Sequence, residues 1–168
     1  MQHSELLSTM AEVSIVFAGF TGVVGMLGFR SNNQRIHGQL YQVGAMTGFS
    51  LMAALFSLVP LLLSAVGLSD AAVWRSSSVG LIAALLGWSI LGDIRMRYLR
   101  RSGIRLRADG FVKLMLPLTV LVLVVLFANA AGFLGSRAGG IYLVCVFVPL
   151  LYAAFFFLRV FFSIRVGE

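Results

Sequence analysis

Five apolar runs, over residues 6–29, 43–68, 79–98, 114–134 and 141–162, take up most of this chain. Each approaches the length at which a helix crosses a bilayer, about 20 residues for a hydrocarbon layer of roughly 30 Å. A spanning segment must satisfy its own backbone hydrogen bonds, which leaves helices or a closed barrel. None of the five runs alternates with the period of two that a barrel strand needs. The expected fold is therefore all-α: a polytopic integral membrane protein with five transmembrane helices in a single domain, residues 1–168.

Charge supports this reading. Only 11% of the 168 residues are charged, against roughly 25% in a soluble domain. A body this small has too much surface for its volume to hide that much apolar material from water. Lipid has to cover it.

The third run is the least clear, because Asp93, Arg95 and Arg97 fall in its last turns. The distribution of basic residues argues for keeping it. Arg30 and Arg35 lie between the first two runs, and Arg159 and Arg165 at the end of the fifth. Arg95, Arg97, Arg100, Arg101, Arg105, Arg107 and Lys113 form a basic segment, about 95–113, between the third and fourth. The other connections are poor: 69–78 holds only Arg75 and 135–140 only Arg137. Basic residues mark the cytoplasmic side, and five spans gather every rich segment there. The expected topology has the N-terminus outside and the C-terminus cytoplasmic. Glu5 and Glu12 stand where a signal peptide would be positive, so the first run is expected to remain as a helix. Trp74 and Tyr98, near run ends, read as interfacial aromatics. Twelve arginines to one lysine suit a bacterial inner membrane protein.

Small residues at helical spacing permit close backbone approach between membrane helices. The first run has Gly19, Gly22, Gly25 and Gly28, beside Ser14, Ala18 and Gly22 at steps of four. The second carries the pair Gly44 and Gly48; the third carries Gly80, Ala84, Trp88 and Gly92. These stripes fit packing within one bundle, an interface between copies, or the wall of a pore. Pro60, Pro117 and Pro149 should kink their helices. Two short matches raise an internal repeat of inverted orientation, as in some transporters. Residues 25–30 (GMLGFR) pair with 132–137 (GFLGSR), and 59–62 with 148–151, both VPLL. Chance matching in a chain rich in Gly, Leu and Val is the competing explanation.

Glu12 is the leading candidate for function. Glu5, Ser8 and Glu12 share a helix face that continues inward to Gly19, Gly22 and Met26. A carboxylate at the lip of a membrane is costly and turns toward water or a partner. In a symmetric oligomer Glu12 would form an acidic ring at a pore mouth. Alternatively, it belongs to an exposed amphipathic helix start, where acids suit the N-terminal dipole, or to a protonation or salt-bridge site. Asp93 and Arg97, four apart, are placed for an ion pair, and Asn129 for an interhelical hydrogen bond. The basic segment suits anionic lipid headgroups or a cytoplasmic protein partner; no fold is left in it to read nucleic acid. Cys145 sits alone in an apolar run, and His3 and His37 are expected on opposite sides.

No metal cluster, Walker loop, dinucleotide fingerprint or nucleophile elbow occurs in the sequence. The expectation is a non-enzymatic homo-oligomer without a cofactor, a small channel or pore that conducts cations along its first helix. The alternative is a non-conducting scaffold or sensor subunit that recruits a partner through the basic segment.

Overall fold

Apolar runs with internal backbone hydrogen bonding become five helices in the computed structural model, which describes residues 3–28, 33–101 and 109–165. They are α1 (Ser4–Gly28), α2 (Asn33–Ala65), α3 (Asp70–Arg101), α4 (Asp109–Ala130) and α5 (Ala138–Arg165). A short 3₁₀ turn, Gly135–Arg137, leads into α5. No strand occurs among the described residues. Helices α1, α2, α3 and α5 each hold a stretch long and apolar enough to cross a membrane. In α4 the apolar stretch is Met115–Ala130, about 24 Å at 1.5 Å per residue. Much of the apolar surface faces outward: Val16 is 71% exposed, Val66 79% and Phe133 84%. Such a surface is at home in lipid.

Every helix starts before its apolar run, and α3 and α5 also continue past theirs. Residues 69–78, read as a connection, are helical from Asp70 onward. The three serines mislead because a helix accommodates them. The Ser76 hydroxyl donates to the Ala72 carbonyl at 2.6 Å, while Ser77 and Ser78 are buried in the bundle. Trp74, expected at the interface, is only 8% exposed and packs its ring against Tyr142 at 5.8 Å. The basic segment 95–113 is likewise mostly helix ends: α3 runs through Arg101 and α4 starts at Asp109.

Two connections close in the same way. At the end of α2, Gly67 adopts φ +90°; its N–H reaches the Ser64 carbonyl and that of Leu68 the Leu63 carbonyl. At the end of α4, Gly132 adopts φ +86°, with matching bonds from Gly132 to Asn129 and from Phe133 to Ala128. This is the Schellman arrangement, which needs a residue free of the left-handed penalty. The Arg75 guanidinium lies against Gly132, where a cation favours the carbonyl end of α4.

Helix α5 touches all four others, and α1 lies mainly along α2. Pairings along the seams give the directions. Tyr142 meets Phe56 while Phe156 stacks on Phe49, so α5 and α2 are antiparallel. Gly48 meets Trp88 and Gly80 meets Phe56, Asn129 meets Ala138 and Thr119 meets Tyr152, and His3 lies by Gly139 while Phe17 packs on Phe157, so α1, α3 and α5 run one way and α2 and α4 the other. This alternation carries the basic ends of α3 and α5 to one side of the bundle. The core includes Leu7, Leu81, Leu126, Tyr142 and Val146, all fully buried.

The repeat does not survive. Gly25 and Gly28 are helical in the last turn of α1, whereas Gly132 and Gly135 form the turn after α4 with positive φ. Pro60 stands in the last turns of α2 and Pro149 well inside α5. Where both members are described, the matched segments take different structures, as short matches in a composition-biased chain do.

Candidate functional site

The first helix divides its residues between two faces. Leu7, Ala11, Ser14 and Thr21 are buried, and the Thr21 and Thr47 hydroxyls share a hydrogen bond of 2.9 Å across the seam with α2. Small side chains let these backbones approach closely. The remaining face carries Glu5, Ser8, Glu12, Gly19 and Gly22, all exposed. A side chain added at Gly19 or Gly22 would meet nothing within 4 Å. The predicted acidic face therefore exists as a continuous surface, and none of the other four helices covers it. Within α1, the stripe that packs inside the chain uses Ser14 and Thr21 and leaves the glycines Gly19 and Gly22 outside.

Glu12 lies two turns into α1, among exposed Val13, Ile15 and Val16. Neither Glu5 nor Glu12 makes an ion pair among the described residues. The Thr9 hydroxyl donates to the Glu5 carbonyl at 2.9 Å, a bond within the helix. Met26 belongs to α1 but its side chain lies outside the described residues.

The glycines of the second and third helices also divide. Gly48 presses against the Trp88 ring, and a Cβ at Gly80 would stand 3.2 Å from Phe56. Gly44 and Gly92 meet nothing within 4 Å. Only one member of the 44/48 pair thus serves internal packing. The open members line a groove between α2 and α3, described below.

Asn129 joins three elements. Its Nδ2 donates to the Ser78 hydroxyl of α3 at 2.9 Å and to the Ala138 carbonyl of α5 at 3.3 Å. Its Oδ1 is buried without a partner. This is the interhelical role expected of it; the sequence does not point to the partner Ser78, because a run of three serines resembles a loop. The 3.6-residue rhythm of Trp74, Ser77, Ser78, Leu81 and Leu85, all buried, was the signal available.

Asp93 and Arg97 form an exposed ion pair at 2.6 Å, worth a few tenths of a kcal/mol at most (about 0.3–0.5). Arg95 is exposed. The side chains of Arg100, Arg101 and Lys113, and all of Arg105 and Arg107, lie outside the described residues. Among the described residues no three His, Cys, Asp or Glu side chains come together in a way that would hold a metal ion. Cys145 is buried, 3% exposed, within α5. Compared with known protein families, characterised proteins and solved structures, the chain matches none.

Proposed function

We propose that the chain assembles as a homo-oligomer in a cell membrane, that of a bacterial inner membrane by its residue usage, and conducts cations. The path lies between copies, bordered by the α1 face of each, with Glu12 at its outer mouth. The N-terminus is outside and the C-terminus cytoplasmic. One observation carries the reading: Glu5, Ser8, Glu12, Gly19 and Gly22 lie on one exposed surface that no helix of the same chain covers. A carboxylate turned toward hydrocarbon costs several kcal/mol, about 2.5–3.5 at the helix centre on insertion scales. Association around a watered axis removes that cost, and the glycines let neighbouring helices approach. The interior of one bundle is filled by Leu81, Leu126, Tyr142 and Val146, which argues for a path between copies.

The test is ion flux through purified protein in liposomes under a potassium or sodium gradient. Wild type should conduct, and Glu12→Gln should lower cation selectivity or rate. Equal flux from both forms would remove Glu12 from the path.

The exposed basic end of α3, with Arg95 and Arg97, favours a second reading, a non-conducting scaffold or sensor that recruits a cytoplasmic protein. It predicts a soluble partner that copurifies and is lost when Arg100, Arg101, Arg105 and Arg107 are neutralised. Absence of flux from folded, oligomeric protein would move the assignment there.

A further inference from the structure

Between α2 and α3, at the basic end of the bundle, lies an open groove of about 440 Å³. Gly44 and Ala45 of α2 and Trp88, Leu91, Gly92 and Ile94 of α3 line it, with Arg95 and Tyr98 toward the C-terminal end of α3. The glycines make it: neither Gly44 nor Gly92 has a neighbour within 4 Å of where a Cβ would stand. Trp88 packs against Phe49, at 5.5 Å between ring centroids, and against Gly48.

We infer that this groove binds one anionic glycerophospholipid, an acyl chain lying against Gly44 and Gly92 and the phosphate meeting Arg95. Three features point to that occupant. From Trp88 to Tyr98 the helix rises about 15 Å, half of a hydrocarbon core of roughly 30 Å, which is the depth of one leaflet. Among the described lining residues the one charge is Arg95, toward the C-terminal end of α3, and the residues before it are apolar, the polarity of a lipid read from tail to headgroup. That charge is uncompensated: Arg95 has no ion pair among the described residues, while the neighbouring acid Asp93 is bound to Arg97. An arginine there offers a forked donor suited to a phosphate. Tyr98, 71% exposed, stands where interfacial aromatics meet headgroups.

The site is separate from the α1 face and does not depend on conduction. It differs from general attraction of basic residues to an anionic surface, because it is saturable and needs the groove as well as the charge.

Tryptophan fluorescence offers a direct measurement, since the chain has only two tryptophans and Trp74 lies in the core at the other end. In a Trp74→Phe background, Trp88 reports on the groove. Phosphatidylglycerol with brominated acyl chains, titrated into protein in phosphatidylcholine nanodiscs, should quench Trp88 saturably. Brominated phosphatidylcholine should quench far less at equal mole fraction. Arg95→Gln should weaken the phosphatidylglycerol effect about fivefold, the equivalent of roughly 1 kcal/mol for one basic residue at the surface. Arg97→Gln, whose partner is Asp93, should leave it nearly unchanged. Gly92→Leu fills the groove and should abolish saturable quenching by either lipid; Gly44→Leu, on the facing helix, serves if that variant does not fold. Unsaturable quenching, or equal quenching by the two headgroups, would overturn the proposal. So would Arg95→Gln and Arg97→Gln acting alike, which would leave only diffuse attraction to an anionic bilayer.

Discussion

Pro60 has no N–H to offer the carbonyl of Phe56 one turn earlier, and the Tyr142 hydroxyl from α5 donates to that carbonyl at 2.8 Å. In a membrane interior no water substitutes for a missing donor. Tyr142→Phe should therefore destabilise the bundle by about 1–2 kcal/mol, the cost of a buried acceptor left unpaired. Pro60→Ala restores the N–H, so in that background the loss of the hydroxyl should cost markedly less; thermal unfolding in detergent would measure both. Additive effects would break the link between the proline and the tyrosine. At the other polar bridge, a double-mutant cycle of Asn129→Ala with Ser78→Ala should give a coupling of about 0.6 kcal/mol, the average for interhelical hydrogen bonds. The sequence announces Asn129, since a polar side chain inside an apolar run needs a partner. It cannot announce Tyr142, because an aromatic in an apolar helix is ordinary and the acceptor it serves is 86 residues away.

At the scale of the element, α1 presents two faces with opposite expectations. Ser14 is fully buried and Gly22 exposed, though both belong to one stripe of small residues. Ser14→Leu should overpack the bundle and cost about 1–3 kcal/mol. Gly22→Leu has room within the chain, so the monomer should unfold at the wild-type temperature. If α1 is the contact between copies, the same substitution should shift the oligomer toward monomer in light scattering. A Gly22→Leu variant that is stable and still fully oligomeric would move the interface away from α1. Helix α3 makes a related point. Its apolar run is short, yet Asp70–Arg101 is continuous, because buried serines and the Asp93–Arg97 pair make polar residues compatible with a helix. Hydropathy alone places its start some nine residues late, at 79 rather than Asp70.

For the whole molecule, alternation of helix direction sets which ends share a side, and the proposed topology puts the basic side in the cytoplasm. Single cysteines introduced at Ser136 and at Arg101 test the assignment with a membrane-impermeant maleimide on intact cells. Labelling should occur at 136 without lysis and at 101 only after lysis; buried Cys145 should stay silent in both. The reverse pattern would invert the proposed topology.

The number of helices, their class and the clustering of basic ends were legible in the sequence, because long apolar runs separated by charge are recorded directly in the order of residues. What the tertiary structure decided is which face of each helix is inside. A helix as apolar as α5 has little asymmetry to read, and its central place follows only from its contacts with all four neighbours. Glycine stripes are equally mute: Gly48 is filled by Trp88 while Gly44, one turn away, stays open. These helices are apolar on their exposed faces as well as their buried ones, so the hydrophobic pattern that orients a soluble helix is missing. Side-chain fit and a few hydrogen bonds choose instead.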